Sequence, residues 1–209
     1  MQQDLLPLFP LQSVLFPRTP LPLHIFEERY KEMMREVLDT QTEFGVVQAG
    51  EKGIVNMGCT ASVTKVLNRY PDGRLDLFTV GRRRFEILSL DEDRTFLRGA
   101  VEFFDDDEFE PVEIGVRQQV LERYRELCEI SEPPSFQLPE FADPQLSFQL
   151  AQIVPDLDFR QVLLAMRSEA ARMTSMAKFL GEWVPRHREA LHARTVAPLN
   201  GHGRPHDEL

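Results

Sequence analysis

The hydrophobic pattern falls into two regimes. From Leu5 to Leu23 the chain sets Leu, Phe and Val between prolines at 7, 10, 17, 20 and 22. Each proline fixes φ and has no backbone N–H to donate, and a central strand does not carry proline at that density. The stretch therefore reads as short extended pieces with bends, lying along the edge of a sheet or barrel, one side open to another chain. At Phe26 the period changes: Phe26, Tyr30, Met33, Met34, Val37 and Leu38 fall on one helical face. Glu27, Glu28 and Glu32 sit near its start, where the helix dipole favours anions.

Strand patterns follow. Residues 44–49 read as a short buried strand and 55–70 as a long one, in which Gly58 marks a bulge or close approach. Pro71-Asp72-Gly73 is a turn, because Pro presets φ and Gly takes φ > 0. The hairpin partner is 75–80. Gly81 breaks it, and strands at 84–90 and 95–104 follow, the last running into Asp105-Asp106-Asp107-Glu108. Many short strands joined by tight turns favour a small closed or half-closed barrel. From Pro111 the period is helical. Val116, Val120, Tyr124, Leu127 and Cys128 form one stripe, a Pro-rich loop covers 132–143, and Leu146, Leu150 and Ile153 line a short helix. Further helices are predicted at 159–166 and 169–184, the latter ended or kinked by Pro185. The expected division is a β-barrel over 1–110, an α-helical subdomain over 111–195 and a disordered tail over 196–209.

Charge narrows the function. With 24 Lys+Arg against 34 Asp+Glu the net charge is −10, the wrong sign for a phosphate-backbone binder. No apolar run approaches the ~20 residues of a membrane span, and the acidic, Pro-rich start lacks the features of a signal peptide. Cys59 and Cys128 make no disulfide framework. Together these point to the cytoplasm. The terminal His206-Asp207-Glu208-Leu209 spells an endoplasmic-reticulum retrieval signal, read as coincidence because nothing supplies entry to that compartment.

Residues 5–38 also carry a resemblance, in the order LPLFPL, apolar-LFP, PLPL, I-F and a charged helix. So does MGCTASVTKVLNRYPDGRLDLFTVGRRRFEIL at 57–88, with Val80, Gly81, Arg84, Phe85 and Ile87 meeting the pattern V-x-G-x-x-R-F-x-I. Together, over about residues 5–185, they resemble the N-terminal substrate-binding domain of the Lon protease family, of bacterial type. The resemblance implies an α+β fold, a PUA-like β-pseudobarrel with one inserted helix followed by a C-terminal α-helical subdomain. It implies a stand-alone, non-enzymatic module for extended or unfolded protein segments, in a quality-control or adaptor role. It leaves open whether a separate ATP-dependent protease is a partner. RNA binding, known among relatives of the PUA-like fold, is the alternative; against it stands the shortage of aromatics interleaved with basic residues.

No G-x-x-x-x-G-K-[ST] phosphate loop occurs. No nucleophile lies beside a base, and His187 and His192 do not form a metal cage; no catalytic residue, cofactor or metal is expected. Cys59 reads as a small buried hydrophobe, His24 as a packing histidine that can also present polar chemistry, and the acidic run at 105–108 as a solvated rim loop. Within Arg82-Arg83-Arg84, strand alternation puts Arg82 and Arg84 on one face and Arg83 on the other. Arg84 is expected to pair with a carboxylate or carbonyls. The candidate peptide contacts are Arg18, His24, Phe26 and Arg29, where the first helix meets the Pro-rich strand, with Arg82 and Arg83 at the rim.

Overall fold

The computed structural model describes residues 5–50, 53–107, 110–130 and 139–196. In chain order the elements are β1 (Leu6–Leu11), β2 (Pro20–Ile25), α1 (Glu28–Thr40), β3 (Phe44–Gly50), β4 (Gly53–Arg69), β5 (Leu75–Asp91), β6 (Arg98–Phe104), α2 (Ile114–Ile130), α3 (Leu146–Ala151), α4 (Leu157–Ala165) and α5 (Glu169–Val196). The chain forms two compact units: residues 1–111 with 134–172, and residues 112–133 with 173–209. Residues 139–172, which the sequence division sets with the helices, fall in the first of these units. Of the expected tail, residues beyond Val196 lie outside the described residues, as do residues 131–138 of the expected loop.

β5 is the long member of the first unit. Its first half pairs with β2, from Pro20↔Val80 to Ile25↔Leu75. Its second half pairs with β6, from Arg84↔Phe104 to Asp91↔Arg98. β4 runs antiparallel along β5, β3 along β4, and β1 lies between β3 (parallel) and β6 (antiparallel). The ring β5–β4–β3–β1–β6 closes on β5, giving the pseudobarrel, and β2 is added outside the closure. The core is apolar, with Leu8, Phe16, Met33, Met34, Phe44, Leu77 and Phe85 at 0% exposure.

Two glycines explain why one strand can run where a break was expected. A Cβ on Gly81 would lie 2.0 Å from the Phe16 carbonyl oxygen, so the backbone of the β1–β2 connection crosses there and β5 continues through the glycine. A Cβ on Gly58 would lie 2.4 Å from the Val46 oxygen, the close approach its position in the strand predicts. The arginine run departs from simple alternation. Pairing passes from Ala61↔Gly81 to Cys59↔Arg84, so Arg82 and Arg83 together oppose Thr60. This bulge leaves both arginines exposed and turns Arg84 inward.

The α1 face is as the period requires at Tyr30, Met33, Met34 and Val37, all buried. Phe26 is the exception: it precedes the helix and is 60% exposed. In the second unit, α2 buries Val120 and Leu127, and α5 buries Met173, Met176, Ala177, Leu180 and Val184. α5 does not end at Pro185 but continues to Val196; the proline removes one hydrogen bond, and the flanking turns carry the helix past it.

The first unit is tied by buried charge. Arg84 pairs with Asp106 at 2.7 Å and donates to the carbonyls of Leu164 and Met166. Arg172 grips Asp106 through both terminal nitrogens, at 2.7 and 2.6 Å, and Glu169 at 2.9 Å. Glu169 in turn accepts from the Ser147 amide and hydroxyl. The side chains of Arg84, Arg172 and Asp106 are 1%, 0% and 3% exposed. Asp106 is therefore no part of a solvated rim, unlike its exposed neighbours Asp105 and Asp107. Burial pushes its carboxyl up, but hydrogen bonds from Arg172 and Gln145, with the two guanidinium charges, outweigh that and hold it at about 2.

Three outcomes test this account. Arg84→Ala leaves Asp106 short of a partner and is expected to cost about 3 kcal/mol or more in chemical denaturation; an unchanged melting temperature contradicts it. Because the folded-state value of Asp106 is depressed, its stabilisation is present above its unfolded value near ~3.9. It is lost as pH falls toward about 2. Glu169 runs the other way, since burial raises it, so the comparison is made between wild type and Asp106→Asn: the wild type should lose its advantage between about pH 4 and pH 2. Gly81→Ala should cost about 3 kcal/mol, the upper end for overpacking, because the atom it meets is backbone and cannot rotate away.

Candidate functional site

The six residues singled out from sequence do not form one site. Arg18 has φ 58°, in the left-handed region, and its side chain reaches Asp143 at 2.7 Å and Gln145 at 3.1 Å. Arg82 donates to the Ser62 hydroxyl at 2.7 Å. Arg29 pairs with Glu27 and lies over the Tyr30 ring at 4.5 Å. His24 and Phe26 do come together, with ring centroids 6.0 Å apart. Arg83 stands in a different place, at a groove described below.

His24 is not packed in the core. It pairs with Asp76 in the strand register, and its Nδ1 lies 2.6 Å from the Asp76 carboxylate. Asn68 and the Tyr70 hydroxyl donate to the same carboxylate at 2.8 and 2.7 Å. Hydrogen bonding from His24, then Asn68 and Tyr70, holds Asp76 down to about 2. The result is an exposed aromatic and polar cluster on the outer face of β2, β5 and β4.

The open edge of β2 is poorly suited to strand addition. Gly81 N–H donates to the Thr19 carbonyl, so residues 19, 21, 23 and 25 spend their backbone groups on β5. Pro20, Pro22 and His24 face the free edge. Two of those three are prolines, which leaves one N–H, that of His24, for an incoming strand. Prolines on an edge blunt it against pairing. The expected opening to another chain exists, but its chemistry is against a backbone ladder.

A groove of about 850 Å³ lies elsewhere on the first unit. Its apolar lining is Leu5, Leu6, Pro7, Val101 and Phe103, the last 42% exposed. The end of α1 supplies Glu36 and Thr40, and the β5–β6 hairpin supplies Asp91, Asp93 and Arg98. The Arg83 guanidinium lies 3.8 Å from the Phe103 ring centroid and pairs with Glu43 at 3.2 Å. Arg98 pairs with Asp91 at 2.8 Å. Four carboxylates thus face two guanidiniums across an apolar floor. Of this groove sequence reasoning found only Arg83. The usable signal was the Phe103-Phe104 doublet at the end of a strand, where alternation must send one ring outward.

Cys59 is fully buried and its thiol is pushed up to about 12, chiefly by burial. Among the described residues no cluster has the make-up of a metal site, and no helix is long and apolar enough to cross a membrane.

A family model described as the ATP-dependent protease La (Lon) substrate-binding domain matches residues 5–181. The Lon protease of Parabacteroides distasonis is 30% identical over 112 residues, which is 49% of this chain and 14% of that protein's length. Among solved structures, a Lon N-terminal domain protein from Xanthomonas campestris superposes with a TM-score of 0.67 at 24% identity, covering 86% of this chain and 98% of that one. The N-terminal domain of a Mycobacterium avium complex Lon protease gives 0.58 at 13% identity, covering 86% of this chain and all of that one. At these identities the two structures bear on the fold.

The exposed side chains should be expendable for folding. Phe26→Ser and Arg83→Ala are each expected to change stability by no more than about 0.5 kcal/mol, read by urea titration. A loss of several kcal/mol would show that these residues are packed rather than presented.

Proposed function

This chain belongs to the Lon substrate-binding domain family, and from that premise we propose that it binds extended or unfolded protein segments in the groove between α1 and the β1, β5 and β6 strands. The observation that supports this reading is the make-up of the groove. Its volume lies toward the upper end of the roughly 300–1,000 Å³ of ligand clefts, and its lining combines an apolar floor with a partly exposed aromatic ring. A chain with its apolar residues in the open can bury them there; a folded protein has withdrawn them. The Arg83–Phe103 stack holds the ring at the surface, and Phe103 is the contact expected to matter most. A binding role as an adaptor in cytoplasmic protein quality control, with no chemistry of its own, follows from the same reading. Association with a separate ATP-dependent protease is its natural extension.

Sign of charge separates this from RNA binding. A backbone-tracking groove is basic, whereas this one carries four carboxylates against two guanidiniums, both already paired.

Fluorescence anisotropy with labelled, apolar-rich extended peptides is the test. Micromolar binding is expected, weakened at least about tenfold by Phe103→Asp, which places a charge where an apolar contact was. Equal binding by wild type and Phe103→Asp, or tight selective binding of an RNA oligomer instead, would refute the placement.

A further inference from the structure

A notch beside the Pro-Asp-Gly turn is lined mostly by cations in a chain whose net charge is negative. Between α1 and the β4–β5 hairpin lies a notch of about 250 Å³, whose lining includes Lys31, Arg35, Arg69 and one carboxylate, Asp39. In a chain of net charge −10 this is three cations against one anion. Leu38, Tyr70 and Leu75 supply its apolar wall.

The cations are not equivalent. Lys31 is a structural tie: its side chain is 10% exposed, and its ammonium bonds Glu28 at 2.8 Å and the Asp72 carbonyl of the turn at 3.0 Å. Arg35 and Arg69 are exposed and form no ion pair or side-chain hydrogen bond among the described residues. By contrast Arg18, Arg29, Arg74, Arg83, Arg94 and Arg98 each have a carboxylate partner. Guanidinium presents a planar fork that matches a carboxylate or phosphate edge. This wall leaves two such forks unused and is shaped as a recess rather than a flat face.

We propose that this notch is an oxyanion site, taking an acidic or phosphorylated side chain of a bound polypeptide, with Arg35 and Arg69 as the recognising groups. The carrier of the anion rests on the reading of the chain as a binder of protein segments; the oxyanion site itself does not. Tyr70 joins the notch to the His24–Phe26 cluster, its ring centroid 6.1 Å from that of His24. An acidic residue in the notch therefore lies next to an exposed aromatic surface, a combination suited to a segment in which apolar and acidic residues adjoin.

The test has two arms. In the first, three extended peptides are compared by anisotropy, alike except for one Glu, one phosphoserine or one Gln. The Glu or phosphoserine form is expected to bind about tenfold tighter at low salt, the preference falling as salt rises and vanishing in Arg35→Gln with Arg69→Gln, whose affinity for the Gln peptide is unchanged. Which of the two anionic forms gains more identifies the source. Equal binding of all three refutes the polypeptide side chain as the carrier of the anion while leaving peptide binding intact. In the second arm, inorganic phosphate is titrated into ¹⁵N-labelled protein at constant ionic strength. Saturable shifts centred on 35, 69 and 70, absent in the double variant, uphold the site even if no peptide binds. Shifts scattered over the surface, or none, overturn it.

Discussion

The carboxylate of Asp106, closed between Arg84 and Arg172, is the interaction on which the first unit depends. It joins three stretches far apart in sequence: β5 through Arg84, the loop after β6 through Asp106 itself, and the start of α5 through Arg172. Leaving any of these charges alone in a site this dry would be costly, so the cluster is stable only when all its members are present. The same guanidiniums cap carbonyls at 164 and 166, which fixes the end of α4. These bonds tie the described stretch around α4 and the start of α5 to β5, although its hydrophobic period is helical.

The interior cluster and the exterior groove are built from adjacent residues of the same strands. At the bulge, Arg83 goes out and Arg84 goes in. One register step along, across the ladder, Phe103 is exposed and Phe104 buried. Inside, Arg84 lies over Phe104 at 4.7 Å, and the exposed Arg167 reaches the same ring at 4.8 Å. Outside, Arg83 lies over Phe103 at 3.8 Å. A rigid buried charge cluster therefore backs a partly exposed aromatic ring. Such a ring meets a ligand with little further loss of side-chain freedom, which is what a weak, sequence-tolerant contact requires.

Much of the fold was legible because it rests on local periodicity. The α1 stripe, the Pro-Asp-Gly hairpin and the bulge or close approach at Gly58 all declare themselves in the residues that make them. What was misread depends on partners distant in the chain. Gly81 looks like a strand breaker until Phe16 is known to cross it. Asp106 looks like one of four solvated acids until Arg172, sixty-six residues later, is brought to it. Phe26 continues the helical period on paper, but the helix starts only at Glu28. For the candidate site, the basic run in an acidic chain pointed to Arg83 at the groove, whereas His24 and Phe26, expected where the first helix meets the Pro-rich strand, lie outside it. The groove floor escaped, since Leu5, Leu6 and Val101 carry no mark that separates a half-exposed apolar residue from a core one.

The central claim is that unfolded chains meet the protein at Phe103. A photoreactive amino acid placed at position 103, with a matched control at 67 and a comparison at 26 beside the notch, tests it directly against one client presented native and then denatured. The account requires crosslinks from position 103 to the denatured client, with far fewer to the native one. Crosslinks confined to 26 or 67, or equal capture of native and denatured client at 103, would contradict it.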